Sequence, residues 1–251
     1  MQRSLRHKTI IQALGEGEVR VVDLMRLTGA SSITIRRDLA ELAAVGALER
    51  THGGARRPLK RGAPMPFASR READQHVKAA LARRAAVLIA DDESVILDNG
   101  TTCYSVAQEL AGRPLTVLAL SLHAAAALAS RPGASVSTPG GPVETDTLAL
   151  VGSAAMTAVL NFRADVALLG ACSAAPEDGL TSTTFEDAEL KRAVIAASRR
   201  RILVTSAGKL SRTASFRFGD PADLTHLVTT ADAPADALHA YRCAGVEILL
   251  A

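Results

Sequence analysis

Aromatic residues are scarce in this chain, at 3% of 251 residues, although apolar residues together make up 48%. The apolar fraction is rich in alanine rather than in leucine or phenylalanine. Cysteine is equally sparse. Cys103, Cys172 and Cys243 are odd in number, far apart and free of any C-x-x-C pair, so neither a disulfide framework nor a zinc site is implied. No apolar run reaches the roughly 18 residues that a membrane span needs. The first residues, Met1-Gln2-Arg3-Ser4-Leu5-Arg6, lack the apolar core of a secretory signal. A cytoplasmic protein without membrane attachment is therefore expected. A G-K-[ST] phosphate loop, internal repeats and low-complexity tracts are also missing.

What the chain does have is an uneven distribution of charge. Residues 1–61 carry 12 Lys/Arg against 6 Asp/Glu, whereas the remainder carries 17 against 20. A basic head on a mildly acidic body points to a polyanion as partner of the head alone. The head also shows helical periodicity. Arg6, Ile10 and Leu14 recur at helical spacing, which predicts a helix over 4–14 ended by Gly15 and Gly17. A second short helix is predicted over 21–27, stopped by Gly29. Ser31 or Ser32 then caps a third, running to about Val45 before Gly46. In this third helix Ile35, Leu39 and Leu42 form one apolar stripe, and Arg36 and Arg37 turn outward. Asp38 is expected to pair locally with an arginine.

Two helices joined by a Gly-containing turn, the second carrying exposed basic residues, form a helix-turn-helix. The first turns of its recognition helix enter the major groove, which makes Ser32, Thr34, Arg36 and Arg37 candidate DNA contacts. Hydroxyls suit phosphates or bases, and an arginine fork fits the two acceptors of guanine. The Gly53-Gly54 pair between two short potential strands signals a hairpin, read as a wing with Arg50, His52, Arg56 and Arg57 near the DNA backbone. For His52 a plain turn role stands beside this reading.

The spacing of Arg6, Ile10, Leu14, Ser31, Thr34, Ile35, Arg36, Arg37, Asp38 and Leu39, followed by Arg50, His52, Gly53, Gly54 and Ala55, resembles the DNA-binding domain of DeoR-family transcriptional regulators. Residues 58–73, with prolines and arginines but few periodic apolar positions, read as a linker. Phe67 and Arg70 within it also resemble that family.

Beyond residue 74 helical stretches (75–90, 103–111, 122–130, 151–162, 184–199 and 234–243) alternate with apolar runs at 95–97, 115–120, 134–136, 166–169, 202–204, 227–228 and 246–250. Short aliphatic runs between helices predict a mostly parallel sheet covered on both faces. Ligands of such sheets sit at the carboxyl ends of strands, at a topological switch point. Asp98-Asn99-Gly100-Thr101-Thr102 lies after the first run and before a helix. Gly100 allows a tight turn, and the Thr101 and Thr102 hydroxyls adjoin free helix-start amides, so the loop suits a phosphate or carboxylate. Ordinary helix capping is the alternative. Gly140, Gly141, Gly170 and Lys209 follow other runs, and Lys191 lies on a helix after Gly179. Two lysines on one rim would neutralise a phosphoryl group. A turn for Gly140-Gly141 and a solvated helix position for Lys191 are the plainer readings. Cys103, at a helix start, is either a redox-sensitive thiol or a small buried side chain.

The body resembles the DeoR sensor domain, which is similar in fold to ribose-5-phosphate isomerase. Asp98-Asn99-Gly100-Thr101-Thr102 matches the family's D-x-G-T-T. Gly140-Gly141 with Gly152, Asp165 with Gly170, Glu189 with Lys191, and Lys209 also fall in step, and Ser121 joins the implied effector set. The pattern departs at Ala119 and Leu120, where the family has Thr-Asn before Ser121. It departs again at Glu144, where a basic residue is common, and at Ser206-Ala207-Gly208-Lys209, in place of Asp-x-Ser-Lys.

The expected architecture is α/β: a winged helix-turn-helix domain (1–57), a linker (58–73) and a Rossmann-like sensor domain (74–251). The resemblance implies a DNA-binding regulator, a repressor, whose operator affinity is set by a phosphorylated sugar or similar anion. It would use no cofactor or metal and would act as a homodimer or homotetramer on double-stranded DNA. The alternative is a sugar-phosphate isomerase-like enzyme with an appended DNA-binding domain, for which Asp98, Asp165, Glu186 and Glu189 are the carboxylates in range.

Overall fold

The computed structural model describes residues 3–14, 18–44, 47–56 and 66–251. Gly15, Gly17, Gly46 and Arg57 lie outside them. The chain divides into two compact units, residues 1–60 and 61–251.

In the first unit helices α1 (Arg3–Ala13), α2 (Val21–Thr28) and α3 (Ser32–Ala44) accompany three short strands, β1 (Glu18–Arg20), β2 (Glu49–Thr51) and β3 (Gly54–Arg56). Ile10 and Leu14 meet Leu24, Ile35, Leu39 and Leu42 in one core, as the helical spacing predicts. The α2 helix stops at Gly29, whose backbone is left-handed and whose N–H donates to Met25 O at 2.9 Å. The wing is a hairpin of β2 and β3. Strand β1 went unread in the sequence, and it pairs antiparallel with β3. This pairing explains Gly54: a Cβ there would meet Val19 O at 2.2 Å, so only glycine allows β1 to close on the wing.

The second unit opens with α4 (Phe67–Glu72) and α5 (Gln75–Ala86). Part of the stretch expected as linker is therefore helical. Phe67 is buried and anchors it, and the Phe67 N–H donates to both carboxylate oxygens of Asp146, at 3.0 and 2.8 Å. One anchoring apolar residue leaves no periodicity to read.

After α5 the chain alternates: β4 (Ser94–Leu97), α6 (Thr101–Leu110), β5 (Thr116–Ala119), α7 (Leu122–Leu128), β6 (Ser135–Ser137), α8 (Gly152–Asn161) and β7 (Ala164–Leu169). The short strand β8 (Leu180–Ser182) precedes α9 (Phe185–Ala196) and β9 (Ser198–Val204). Then follow β10 (Phe216–Gly219), β11 (His226–Thr229), α10 (Ala235–Cys243) and β12 (Glu247–Leu250). Seven strands form one sheet in the order β12-β11-β9-β7-β4-β5-β6, every pair parallel.

Side chains alternate between the two faces of each strand. Val95, Leu97, Val166 and Leu168 pack with Leu81, Val106 and Leu128 from α5, α6 and α7. Ile96, Ala167, Leu169 and Leu203 pack with Val159, Val194 and Leu238 from α8, α9 and α10. The sheet is thus covered on both sides, and its neighbour order reverses at β4, between β7 and β5. That is where a doubly wound sheet opens its crevice. Antiparallel β8 and β10, separated in sequence by α9 and β9, form a small two-stranded sheet that the sequence did not announce. No helix among the described residues is long and apolar enough to cross a membrane.

Candidate functional site

In the first unit, Ser31 caps α3: its Oγ accepts from Thr34 N at 3.3 Å and lies 2.9 Å from Thr34 Oγ1. Arg36 and Arg37 are exposed, whereas Ser32 and Thr34 are half-buried. Arg37 reaches Glu41 at 3.5 Å, one turn on. Asp38 faces inward and does not pair with its neighbouring arginines. Its carboxylate is taken by Arg6 from α1, with Nη2 3.0 Å from Oδ1, and His7 Nε2 lies 3.0 Å from the same oxygen. Burial works to raise the Asp38 pKa, but Arg6 and His7 outweigh it and hold the group below its usual range. On the wing, Arg50 and His52 are exposed. Arg56 was expected near DNA phosphates, yet here it is bound to Glu49 at 2.8 Å. An exposed cationic stripe on a capped, tethered helix suits an anionic polymer.

In the second unit the switch point lies between the carboxyl ends of β4 and β7. Gly100, with φ of +100°, ends β4's loop and starts α6, and the position a Cβ would take there is open. Asp98 is buried, accepts from Gly170 N at 2.8 Å and pairs with Lys191. Asp187, one turn before Lys191 on α9, lies 3.3 Å from the same ammonium. It also accepts from Asn99 Nδ2 at 2.7 Å and Ser182 Oγ at 2.5 Å. Burial opposes the Lys191 charge, but Asp187 and Asp98 outweigh it and hold the ammonium protonated. Burial also pushes Asp98 up, while Lys191, Ser182 and Asn99 hold Asp187 down against burial.

Lys191 therefore differs from its expected role. Its side chain is 4% exposed, and its charge is shared by two carboxylates rather than offered to a ligand. Asp187 was missed because it lies 88 residues from Asn99 in sequence.

Lys209 lies near the same strand ends. Its Nζ donates to Ala171 O at 2.8 Å, just beyond β7. Burial lowers its pKa, Cys172 opposes that shift, and Arg70 and Lys78 reinforce it. Arg70 and Lys78 thus lie within electrostatic reach of Lys209. Sequence reading left Arg70 in the linker and gave Lys78 no role. Lys78 Nζ donates to Arg70 O at 2.6 Å, which fixes the turn between α4 and α5.

Thr101 and Thr102 are buried at the start of α6, and Gly140 and Gly141 are exposed. Ser121 is buried and caps α7, its Oγ accepting from Ala124 N at 3.2 Å. Two open clefts of about 390 Å³ lie elsewhere on the unit, one lined by Tyr104, His123 and Arg131 and the other by Arg192, Arg217 and Phe218. Cys103 is fully buried, and burial pushes its thiol up, so the thiolate needed for a redox switch is disfavoured. Asp165 sits at the start of β7, bonded to Ser94 at the start of β4, at the amino ends of the strands and so away from this rim.

Residues 6–61 match the DeoR-like helix-turn-helix domain and residues 73–231 the DeoR C-terminal sensor domain. The chain is 31% identical over 231 residues to a glycerol-3-phosphate regulon repressor of Haemophilus influenzae, covering 91% of this chain and 90% of that one. It is also 31% identical to a putative aga operon transcriptional repressor of Escherichia coli O157:H7, covering 98% and 93%. Among solved structures it is similar to ribose 5-phosphate isomerase A of Methanocaldococcus jannaschii, at 15% identity and a TM-score of 0.40 over 55% of each chain. With a helix-turn-helix match at one end and a sensor-domain match over more than half its length, the chain belongs to the DeoR family of transcriptional regulators.

Proposed function

We propose that this protein is a DNA-binding repressor whose operator affinity is set by a phosphorylated sugar or a related small anion. The observation that carries the DNA half is the division of α3. One face builds the core through Ile35, Leu39 and Leu42, while Arg36 and Arg37 stand in solvent on the other. The names of the relatives, repressors of a glycerol-3-phosphate regulon and of an aga operon, support repression and a phosphorylated effector. For the effector site, support comes from the open Gly100 turn at a helix start beside Lys209, at the switch point of the sheet. Thr101 and Thr102 line the turn, with Arg70 and Lys78 added to the cationic side. Asp98 and Lys191 act as the buried frame under the loop. Ser121, Gly140, Gly141 and Gly170 shape the neighbouring loops. In solution the protein would act in the cytoplasm as a homodimer or homotetramer, matching two-fold operator half-sites.

The isomerase alternative has less support. Asp98 and Asp187 share the Lys191 ammonium, which leaves neither as a free general base. Glu189 is paired with Arg192.

The test is a gel shift on a duplex enriched from a random pool by the full-length protein, with glycerol 3-phosphate and other sugar phosphates as competitors. The wild type should release the duplex with at least one of them. Thr101→Val combined with Lys209→Ala should bind the duplex as before and no longer release it. Release of this double variant at the same concentration would place the effector elsewhere.

A further inference from the structure

Ile33 is 82% exposed, the highest value among the exposed large apolar side chains of the described residues. It is the second residue of α3, one turn before Arg36 and Arg37. Successive helical residues advance by about 100°. Positions 33, 36, 37 and 40 therefore share one side, and all four are exposed. Ile35, Asp38, Leu39 and Leu42 lie on the other, and all are buried. Ile33 thus stands at the centre of the outward face, directly opposite the core stripe.

Nothing in the fold rewards an isoleucine there. Water gains nothing from its side chain, and a branched Cβ is a poor choice for an exposed helix position. The same branching makes the side chain a rigid finger, because Ile keeps one χ1 rotamer in a helix. Its base is held by the Ser31 cap, through Thr34 N and Thr34 Oγ1. The first turn of a recognition helix is the part that meets base edges. In the major groove one base presents an apolar group, the 5-methyl of thymine.

We propose that Ile33 is a specificity-determining residue that packs on a thymine methyl in the operator. Arg36 and Arg37, on the same face, supply the polar contacts around it. The inference rests on the DNA-binding reading of α3, and the experiment separates the two.

The probe is a duplex enriched from a random pool by the full-length wild-type protein. Each thymine is replaced in turn by deoxyuridine, which keeps every hydrogen bond and lacks the methyl. Wild-type affinity should fall about fourfold at one thymine for each bound recognition helix, the weight of one buried methyl. Ile33→Ala should bind the parent duplex more weakly and be indifferent to that same replacement, with an unchanged circular dichroism spectrum and sedimentation coefficient. Ile33→Val should restore the deoxyuridine sensitivity. The inference is overturned if wild type and Ile33→Ala respond alike at every thymine, or if Ile33→Ala instead changes self-association. In those cases loss of binding by Arg36→Ala would still uphold DNA recognition by α3. If the wild type enriches no duplex, both readings fall together.

Discussion

Asp38 lies directly after Arg36 and Arg37 in sequence, yet its carboxylate is held by Arg6, 32 residues earlier on another helix. The contact fixes the recognition helix to α1 and leaves the two neighbouring arginines in solvent. Arg6→Ala is expected to strand Asp38 in the core and lower the unfolding midpoint of the first unit more than Arg3→Ala, whose own pair with Glu41 is exposed. The pH dependence follows from the lowered Asp38 pKa. A carboxyl held below its ordinary value of 3.8 adds stability that is complete above that pH and is lost as pH falls through the folded value. Acid unfolding of the first unit, followed by circular dichroism, should shift to higher pH in Arg6→Ala. A superimposable acid transition would show the pair to be without weight.

Arg36→Ala and Arg37→Ala are expected to weaken operator binding without changing the fold, because both side chains project into solvent. An arginine that reads guanine should cost about tenfold or more and relax the preference at that base pair. One that contacts a phosphate should weaken all duplexes alike and lower the salt slope by about one. Titration of each variant in a salt series sorts the two roles.

The Lys191 ammonium sits between Asp98 and Asp187 in the interior of the second unit. Lys191→Met removes the only cation of the triad and leaves two facing carboxylates. Breaking a buried pair in this way costs about 3–5 kcal/mol, readable as a lower urea midpoint. Asp98→Asn should cost less, since Asp187 keeps its partner. The reverse order would mean that Asp98 rather than Lys191 anchors the loop.

Most strands of the sheet were legible because they contain short aliphatic runs, although the edge strand β6 (Ser135-Val136-Ser137) holds a single aliphatic residue. Val166, Leu168 and Leu169, for example, are apolar whichever face they serve, as burial on both sides demands. Gly100 and Lys209 were legible as loop residues at strand ends. The β8 and β10 pair was not. Leu180, Thr181 and Ser182 are all buried, and polar residues without alternation carry no strand pattern. Nor did local sequence reveal that Lys191 is spent on Asp98, 93 residues away, or that Arg70 approaches Lys209. Such pairings are made by the sheet topology, which brings strand ends together irrespective of spacing.

The cysteines offer a check on burial. Cys243 is exposed, Cys172 half-buried and Cys103 fully buried. Native protein treated with iodoacetamide should be modified at Cys243 first and at Cys103 only after unfolding, because a buried thiol is held neutral. Modification of native Cys103 at the rate of Cys243 would reopen a redox role.

Phe67 stacks on His123, with ring centroids 4.3 Å apart and planes 6° from parallel, and Tyr104 meets the same imidazole edge-on. This stack and the Asp146 carboxylate hold α4 on the second unit. Burial, reinforced by Arg71, lowers the His123 pKa below its ordinary value of 6.5. For a base with a lowered folded value the sign is plain: the contribution is present above 6.5 and is lost as pH falls through it, because protonation favours the released ring. Against burial, Glu144 is held below its ordinary 4.5 by Thr147 and Asp146 and stays ionised around neutrality, whereas burial lowers Lys78 below its ordinary 10.5. Amide exchange in α4, corrected for intrinsic rate, should therefore quicken as the pH is lowered from about 7.5 to about 5.5, on the scale set by an unperturbed histidine. His123→Gln should exchange faster at both values and show no pH dependence. Phe67→Ala should release α4 at either pH. If wild-type exchange in α4 is flat across this range while His123→Gln matches it, the stack does not secure the helix and Asp146 holds it alone.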